Sequence, residues 1–162
     1  MKRNKKIIIA TVIVIVIALL TWAVISFISF LSLPKEEKAE KDLTQGKKHF
    51  EAVASYLLNN DHDYVYFLDD SGYVYEGYKK AIEDKSVAES LKYLFNEKDY
   101  KSITKDGNTI RFVKWTRFND FEAGICFVTD GVPLVEFLTS TTPLSVNGWY
   151  YYEADYNEWR SN

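Results

Sequence analysis

Residues 7–33 read IIIATVIVIVIALLTWAVISFISFLSL, an unbroken run without one charged side chain. In a helix rising about 1.5 Å per residue the run reaches roughly 40 Å, more than the bilayer's hydrocarbon core of about 30 Å. Inside lipid, every backbone N–H and C=O of a lone span must be satisfied within the span, which leaves the helix as its form. The run is therefore expected to be a transmembrane helix. It divides the rest of the chain into a short N-terminal tail and a long C-terminal part.

The tail is basic. Residues 1–6 hold Lys2, Arg3, Lys5 and Lys6 and no acid. Flanking cations stay on the cytoplasmic side, so the tail is expected inside and everything after Pro34 outside, in a single-pass plasma-membrane protein. A cleaved secretory signal is the rival reading. Its apolar region runs about 7–15 residues and ends at a small-x-small site. Thr21-Trp22-Ala23 passes as such a site, but cutting there leaves ten mostly apolar residues on the new N-terminus. An uncleaved signal-anchor is expected. Ser26, Ser29 and Ser32 recur every third residue, a spacing that suits contact with a partner helix and equally suits hydroxyls bonded back to their own helix.

Pro34 ends the apolar run, since proline cannot donate to a helix ladder and restricts the residue before it. Residues 34–42 are charged and read as a tether, leaving 43–162 as one extracytoplasmic domain. Four of the chain's 20 Lys and Arg lie in the basic tail, whereas all 23 Asp and Glu lie beyond the run. The outer part is thus distinctly acidic. That makes nucleic acid a poor partner, because its binding depends on many cationic phosphate contacts. It also argues against lying flat on an anionic lipid surface. Cys126 is the sole cysteine, so no intramolecular disulfide can form. An exported domain without disulfides, rich in Lys, Tyr, Asn and Ile, fits the surface of a Gram-positive bacterium.

Periodicity predicts the elements. Leu43, Phe50, Val53, Ala54, Leu57 and Leu58 mark one face of a helix, and Asn59-Asn60-Asp61 stops it. Residues 64–68 and 73–75 read as strands around the Asp69-to-Gly72 turn. Ser86 to Glu89 matches a capping box, opening a second helix with Val87, Leu91, Leu94 and Phe95 on its apolar face. Strands come next over 100–104 and 109–115 around Asp106-Gly107, then over 123–128 and 134–138 as a second hairpin. A loop containing Pro143 leads to a last strand over 149–152. Two helices and about six strands joined by tight turns predict an antiparallel α+β domain, since parallel crossovers need a dozen or more residues.

Chemistry-bearing patterns are few. Asn60, Asp61, His62 and Asp63, with Asp69 and Asp70 nearby, have the ligand types for a hard cation. They lack the glycine at the sharp turn and the distal bidentate Glu of a calcium loop, and no metal is expected. A Cys–His pair from Cys126 with His49 or His62 needs a partly exposed, thiolate-favouring setting. Cys126 instead sits between Ile125 and Phe127 in an apolar strand and reads as a small buried hydrophobe. The zinc-protease helix motif, the nucleophile elbow and the Ser-x-x-Lys pair do not occur. Carboxylates for glycoside hydrolysis are abundant, and only geometry can single out a pair. No cofactor is expected.

The aromatics are the distinctive feature of the outer part, which holds all 12 Tyr. Tyr64/Tyr66, Tyr73/Tyr75 and Tyr150/Tyr152 alternate, so each pair shares one face of its strand, with Trp149 and Tyr151 on the opposite face. Most such residues serve a core and its cross-strand pairs. Near the chain end fewer neighbours are present to cover them, so Tyr150, Tyr152, Tyr156 and Trp159 are the expected partner-binding residues. The sequence thus predicts a membrane-anchored extracytoplasmic interaction domain without catalysis, whose partner is a protein at the membrane or wall polymer. A wall-polymer hydrolase using surface carboxylates is the alternative.

Overall fold

The computed structural model describes residues 15–16, 20–22, 35–117, 120–133 and 135–157, which fall into two units that divide between Pro34 and Lys35. In the first unit the described residues Ile15, Val16, Leu20, Thr21 and Trp22 are helical. The span expected over 7–33 otherwise lies outside the described residues. Among those described, no helix is long and apolar enough to cross a membrane.

The second unit is an α+β fold in which helices lie against one antiparallel sheet. Helix α1 (Lys35–Leu58) buries Ala39, Asp42, Leu43, Gly46, Phe50, Val53, Ala54 and Leu57, the three-and-four spacing of an amphipathic face. Residues 35–42, read from sequence as a tether, are its first two turns. Their Lys and Glu side chains hide the stripe, which only Ala39 marks, and Glu36 and Glu37 suit the positive end of the helix dipole. The last turn of α1 has no basic residue. Lys105 Nζ donates to the Asn60 carbonyl at 2.6 Å, so a cation from the sheet serves the exit of the helix.

Three short strands come after it: β1 (Tyr64–Asp69), β2 (Gly72–Tyr75) and β3 (Tyr78–Lys80). Helix α2 (Lys85–Lys92) continues into a π-helical turn, Tyr93–Glu97. Its N-cap is Asp84, whose carboxylate accepts from the Ser86 and Val87 N–H groups at 2.8 and 3.2 Å. The remaining strands are β4 (Ser102–Asp106), β5 (Thr109–Arg117), β6 (Phe121–Val128), β7 (Leu138–Pro143) and β8 (Trp149–Asp155). The sheet runs β3-β2-β1-β4-β5-β6-β8-β7 with every neighbour antiparallel.

The hairpin expected from 123–128 and 134–138 does not form. β8 inserts between β6 and β7 and pairs with both. Val135 is instead buried on the reverse face of the sheet, and the strand after it is the threonine-rich β7, with Pro143 ending an edge strand where a missing N–H is tolerated.

Registers line up a row across the sheet: Tyr73, Phe67, Ile103, Phe112, Ile125 and Tyr151. All six are buried beneath the helices. Phe50 of α1 meets Tyr100, Phe112 and Trp149 edge-on, with centroids 5.4, 5.1 and 5.7 Å apart. Gly46 admits the π-helical turn to this face, because a Cβ there would stand 2.8 Å from the Tyr93 ring. A bulge in β5 between Val113 and Trp115 brings Trp115 opposite Ala123, on the helix-side face that strict alternation from Phe112 would deny it. Gly124 permits the bulge, since a Cβ there would collide with the Phe112 carbonyl oxygen.

Candidate functional site

Of the four residues expected to bind a partner, Trp159 lies outside the described residues. Tyr152 is fully buried, and its hydroxyl donates to Glu122 Oε1 at 3.2 Å. Tyr150 is half-buried and donates to the Gly131 carbonyl at 3.3 Å. Tyr156 is half-buried too, edge-on to Phe137 at 5.4 Å, and its hydroxyl accepts from Arg111 Nη1 at 3.5 Å. The three that are described do not form one exposed row. The physical reason is the strand order: the final strand is interior to the sheet, flanked by β6 and β7, and its reverse face packs in one cluster with Cys126 and Val135.

Tyr152 and Tyr156 instead complete an internal polar network around the Arg111–Glu122 ion pair, which closes at 2.7 Å. Burial alone would make the Arg111 guanidinium easier to deprotonate, and the Glu122 carboxylate more than offsets it. Burial, then Glu122, pushes the Tyr152 phenol well above its usual range.

Cys126 is fully buried, and burial pushes its thiol up to about 12, far from the thiolate a nucleophile needs. It shares the reverse face with Arg111, its cross-strand neighbour. His49 belongs to α1, on the other side of the sheet. There it stacks on Tyr93 at 4.1 Å with Nδ1 3.1 Å from Ser90 Oγ, and burial holds its pKa below the usual imidazole value. His62 stacks on Tyr75 at 3.9 Å. The Cys–His pair is not brought together.

The acidic turns use their oxygens locally. Asp69 accepts from the Ser71 N–H at 2.8 Å and from the Ser71 hydroxyl, bonds that hold its carboxyl below the ordinary value. Asp70 accepts from Asn96 at 3.2 Å, and Asn60 Oδ1 from the His62 N–H at 3.0 Å. Among the described residues no three His, Cys, Asp or Glu gather as a cation would require.

A second charged cluster lies under α1. Asp42 pairs with Lys98 at 3.2 Å and with Lys114, whose ammonium stands 5.2 Å from the Tyr100 ring and 5.6 Å from Trp115. Burial alone would lower the Lys98 pKa, and the Asp42 carboxylate, with Tyr93, raises it above the usual amine value. The neighbouring Tyr100 hydroxyl is buried and has no hydrogen-bond partner among the described residues. These contacts hold α1 to β5 through Lys114 and to the end of the π-helical turn through Lys98.

One of several shallow depressions among the described residues, of about 420 Å³, lies at the start of α1, lined by Lys35, Trp115, Arg117, Phe121, Thr139 and Glu153, with Thr116 and Asp155. Lys35 Nζ stands 4.0 Å from the Phe121 ring centroid and 3.7 Å from Glu153 Oε1, and the Arg117 guanidinium lies 5.7 Å from the same ring. Tyr151 donates its hydroxyl to Glu153, and burial, then that carboxylate, raises the phenol's pKa. Glu40, which lines a separate depression with Pro143 and Leu144, accepts from the Ser145 N–H at 2.9 Å and from its hydroxyl, pinning the β7–β8 loop to α1 and lowering the carboxyl pKa.

A glycosidase acid needs a carboxyl whose pKa is raised, whereas Glu40 and Asp69 are shifted the other way and Glu153 is engaged by Lys35 and Tyr151. Sequence reasoning missed the depression. Its residues come from α1, β5, β6, β7 and β8, and no local pattern links them. Comparison with known proteins finds no matching family model, no similar curated protein and no similar solved structure.

Proposed function

We propose that the chain is a single-pass, membrane-anchored interaction protein of a bacterial envelope, with residues 1–6 in the cytoplasm and the α+β domain outside. The reading is carried by one observation. The domain begins at Lys35, directly after the apolar run and Pro34, and its first helix is already packed by Ala39 and Leu43. An anchored domain without a free linker meets partners close to the membrane. In the run itself, Ile15, Val16, Leu20 and Trp22 are helical residues with exposed apolar side chains, which suits lipid.

The partner on this reading is a membrane or surface protein. The test is photocrosslinking in intact membranes, with a crosslinking amino acid placed at Tyr150 or Tyr156 and, as the control, at Lys79 on the opposite edge of the sheet. One discrete adduct from the first two positions and none from Lys79 is the expected result. Identical patterns from all three would defeat the reading. Wall-polymer hydrolysis is the second reading, favoured only by Glu153 and Asp155 lining one depression. Release of soluble wall fragments that disappears in Glu153→Gln would replace the first reading with this one.

A further inference from the structure

We infer that the depression between the end of α1 and the β2–β3 hairpin binds a sugar unit of a neutral glycan. The site lies wholly within the Lys35–Asn162 unit and stands independently of the anchored reading above. Its volume is about 280 Å³. Tyr56 and Tyr73 give it an aromatic wall, and Asn59, Asn60, Asp61, His62 and Lys80 surround that wall with polar groups.

The wall continues as a line of rings. Tyr56 meets Tyr73 edge-on at 6.3 Å, Tyr73 lies 5.9 Å from Tyr75, and Tyr75 lies 6.4 Å from Tyr78. His62 stacks on Tyr75. The line is set by the hairpin turn, where Glu76 and Gly77 are both left-handed at φ 46° and 82° and place Tyr78 directly opposite Tyr75. Tyr78 is 69% exposed, and Tyr75 and His62 are half-buried. Such rings offer large area with little entropy to lose, which suits the C–H face of a pyranose.

The polar groups here are uncommitted, unlike those of the other depressions. At the start of α1 Lys35 holds Glu153, beside Pro143 Glu40 holds Ser145, and beside α2 His49 meets Ser90. Around Tyr56, by contrast, the Asn59 amide, the Asp61 carboxylate, the Lys80 ammonium and both ring nitrogens of His62 have no hydrogen bond or ion pair among the described residues. The backbone that carries them is nevertheless fixed. Asn60 Oδ1 accepts from the His62 N–H, Lys105 holds the Asn60 carbonyl, and the Gly107 N–H donates to the Asp63 carbonyl at 3.0 Å. Donors and acceptors ordered in advance lower the cost of binding.

Chemistry selects the ligand. Asp61 and Lys80 share the lining, so neither an anion nor a cation is favoured on balance, and no three metal-ligating side chains gather among the described residues. An apolar peptide would desolvate the polar rim without giving it partners, at a cost for each group. A sugar brings hydroxyls that donate and accept around its edge and an apolar face for the rings. The volume falls just under the roughly 300 Å³ at which drug-sized pockets begin, which fits one unit of a polymer.

The test uses the full-length protein in phosphatidylcholine nanodiscs, free of sugar-based detergent. Saturation-transfer NMR is run with two neutral oligosaccharides, chitotetraose and cellotetraose. Transfer to the ring protons of at least one is expected, and it should hold between about 0.05 and 0.5 M salt, because a neutral ligand is not screened. Tyr78→Ala and Asn59→Ala should each weaken binding about fivefold. Tyr64→Ala, which removes a ring 53% exposed on the reverse face, should leave it unchanged. An unaltered urea midpoint certifies the fold of each variant. No transfer to either oligosaccharide overturns the inference. So does binding that Tyr78→Ala and Asn59→Ala leave intact, or that Tyr64→Ala weakens equally, since the rings would then be acting as general adhesive surface. Binding abolished by salt overturns the neutral ligand. None of these outcomes touches the protein partner, which crosslinking from Tyr150 and Tyr156 tests separately.

Discussion

Beneath α1, a row of six apolar residues crosses the sheet from Tyr73 to Tyr151, and Phe50 meets three aromatic rings edge-on above it. On the reverse face, Arg111 and Glu122 are ion-paired beside Cys126, Tyr152 and Tyr156. The first face is stabilised by buried area, and its charges, Asp42, Lys98 and Lys114, stand at its margin with side chains 10–19% exposed. The second is covered by a loop, offers less apolar area, and depends on each polar atom having its partner. Area tolerates small errors of geometry, and a polar network does not.

The largest break is expected on the helix side. Phe50→Ala removes the ring at the centre of the aromatic cluster and should cost about 4 kcal/mol, read as the shift in urea midpoint of the full-length protein in detergent. On the reverse face Glu122→Gln strips Arg111 of its counter-charge at a largely buried site. The expected loss is about 2 kcal/mol. The double change Arg111→Met with Glu122→Leu should recover most of that loss, whereas a loss equal to or larger than the single change would mean that shape, not charge, holds this face.

Two smaller effects sharpen the contrast. Tyr100→Phe deletes a buried hydroxyl without a partner among the described residues, so it should raise stability by about 1 kcal/mol. A fall would place an ordered water or another partner at that hydroxyl. His49 gives the smallest signal. Its folded pKa lies below 6.5, so as pH falls through that value the unfolded chain binds the proton first and stability declines. Between about pH 7 and pH 5 the wild type should lose stability more steeply than His49→Gln. Parallel curves would show that the Tyr93 stack does not exclude the charged ring.

Much of this fold is legible in local pattern. The stripe from Leu43 to Leu57, the Asp69-to-Gly72 turn and the Asp106-Gly107 turn each write their element into a few adjacent residues. What local pattern cannot carry is the choice of partner. Thr129 to Pro133 reads as a hairpin turn in its own right, yet β6 pairs with β8, and Val135 lies in the reverse-face cluster with Cys126 and Tyr152 instead of in a strand. β3 leaves little trace in the sequence because Tyr78-Lys79-Lys80 is three exposed residues with two charges, and β7 because serine and threonine at an edge look like loop. The same limit hides the depression near Lys35, where a bulge in β5 re-aims Trp115. Tyr152 defeats sequence reasoning for a related reason: nearness to the chain end suggests nearness to the sheet edge, and the two differ here.

The placement of β8 also dictates an order of assembly. A chain emerging from the ribosome completes β5 and β6 early, but β6 then has one open side, and β7 has no neighbour at all until residues 149–155 appear. Pairings between segments distant in sequence close slowly, and an open strand edge is a template for another chain while it waits. The last strand therefore works as a bolt. Nascent chains halted before Trp149 should be the ones that stick to each other, and those released after Asp155 the ones that do not.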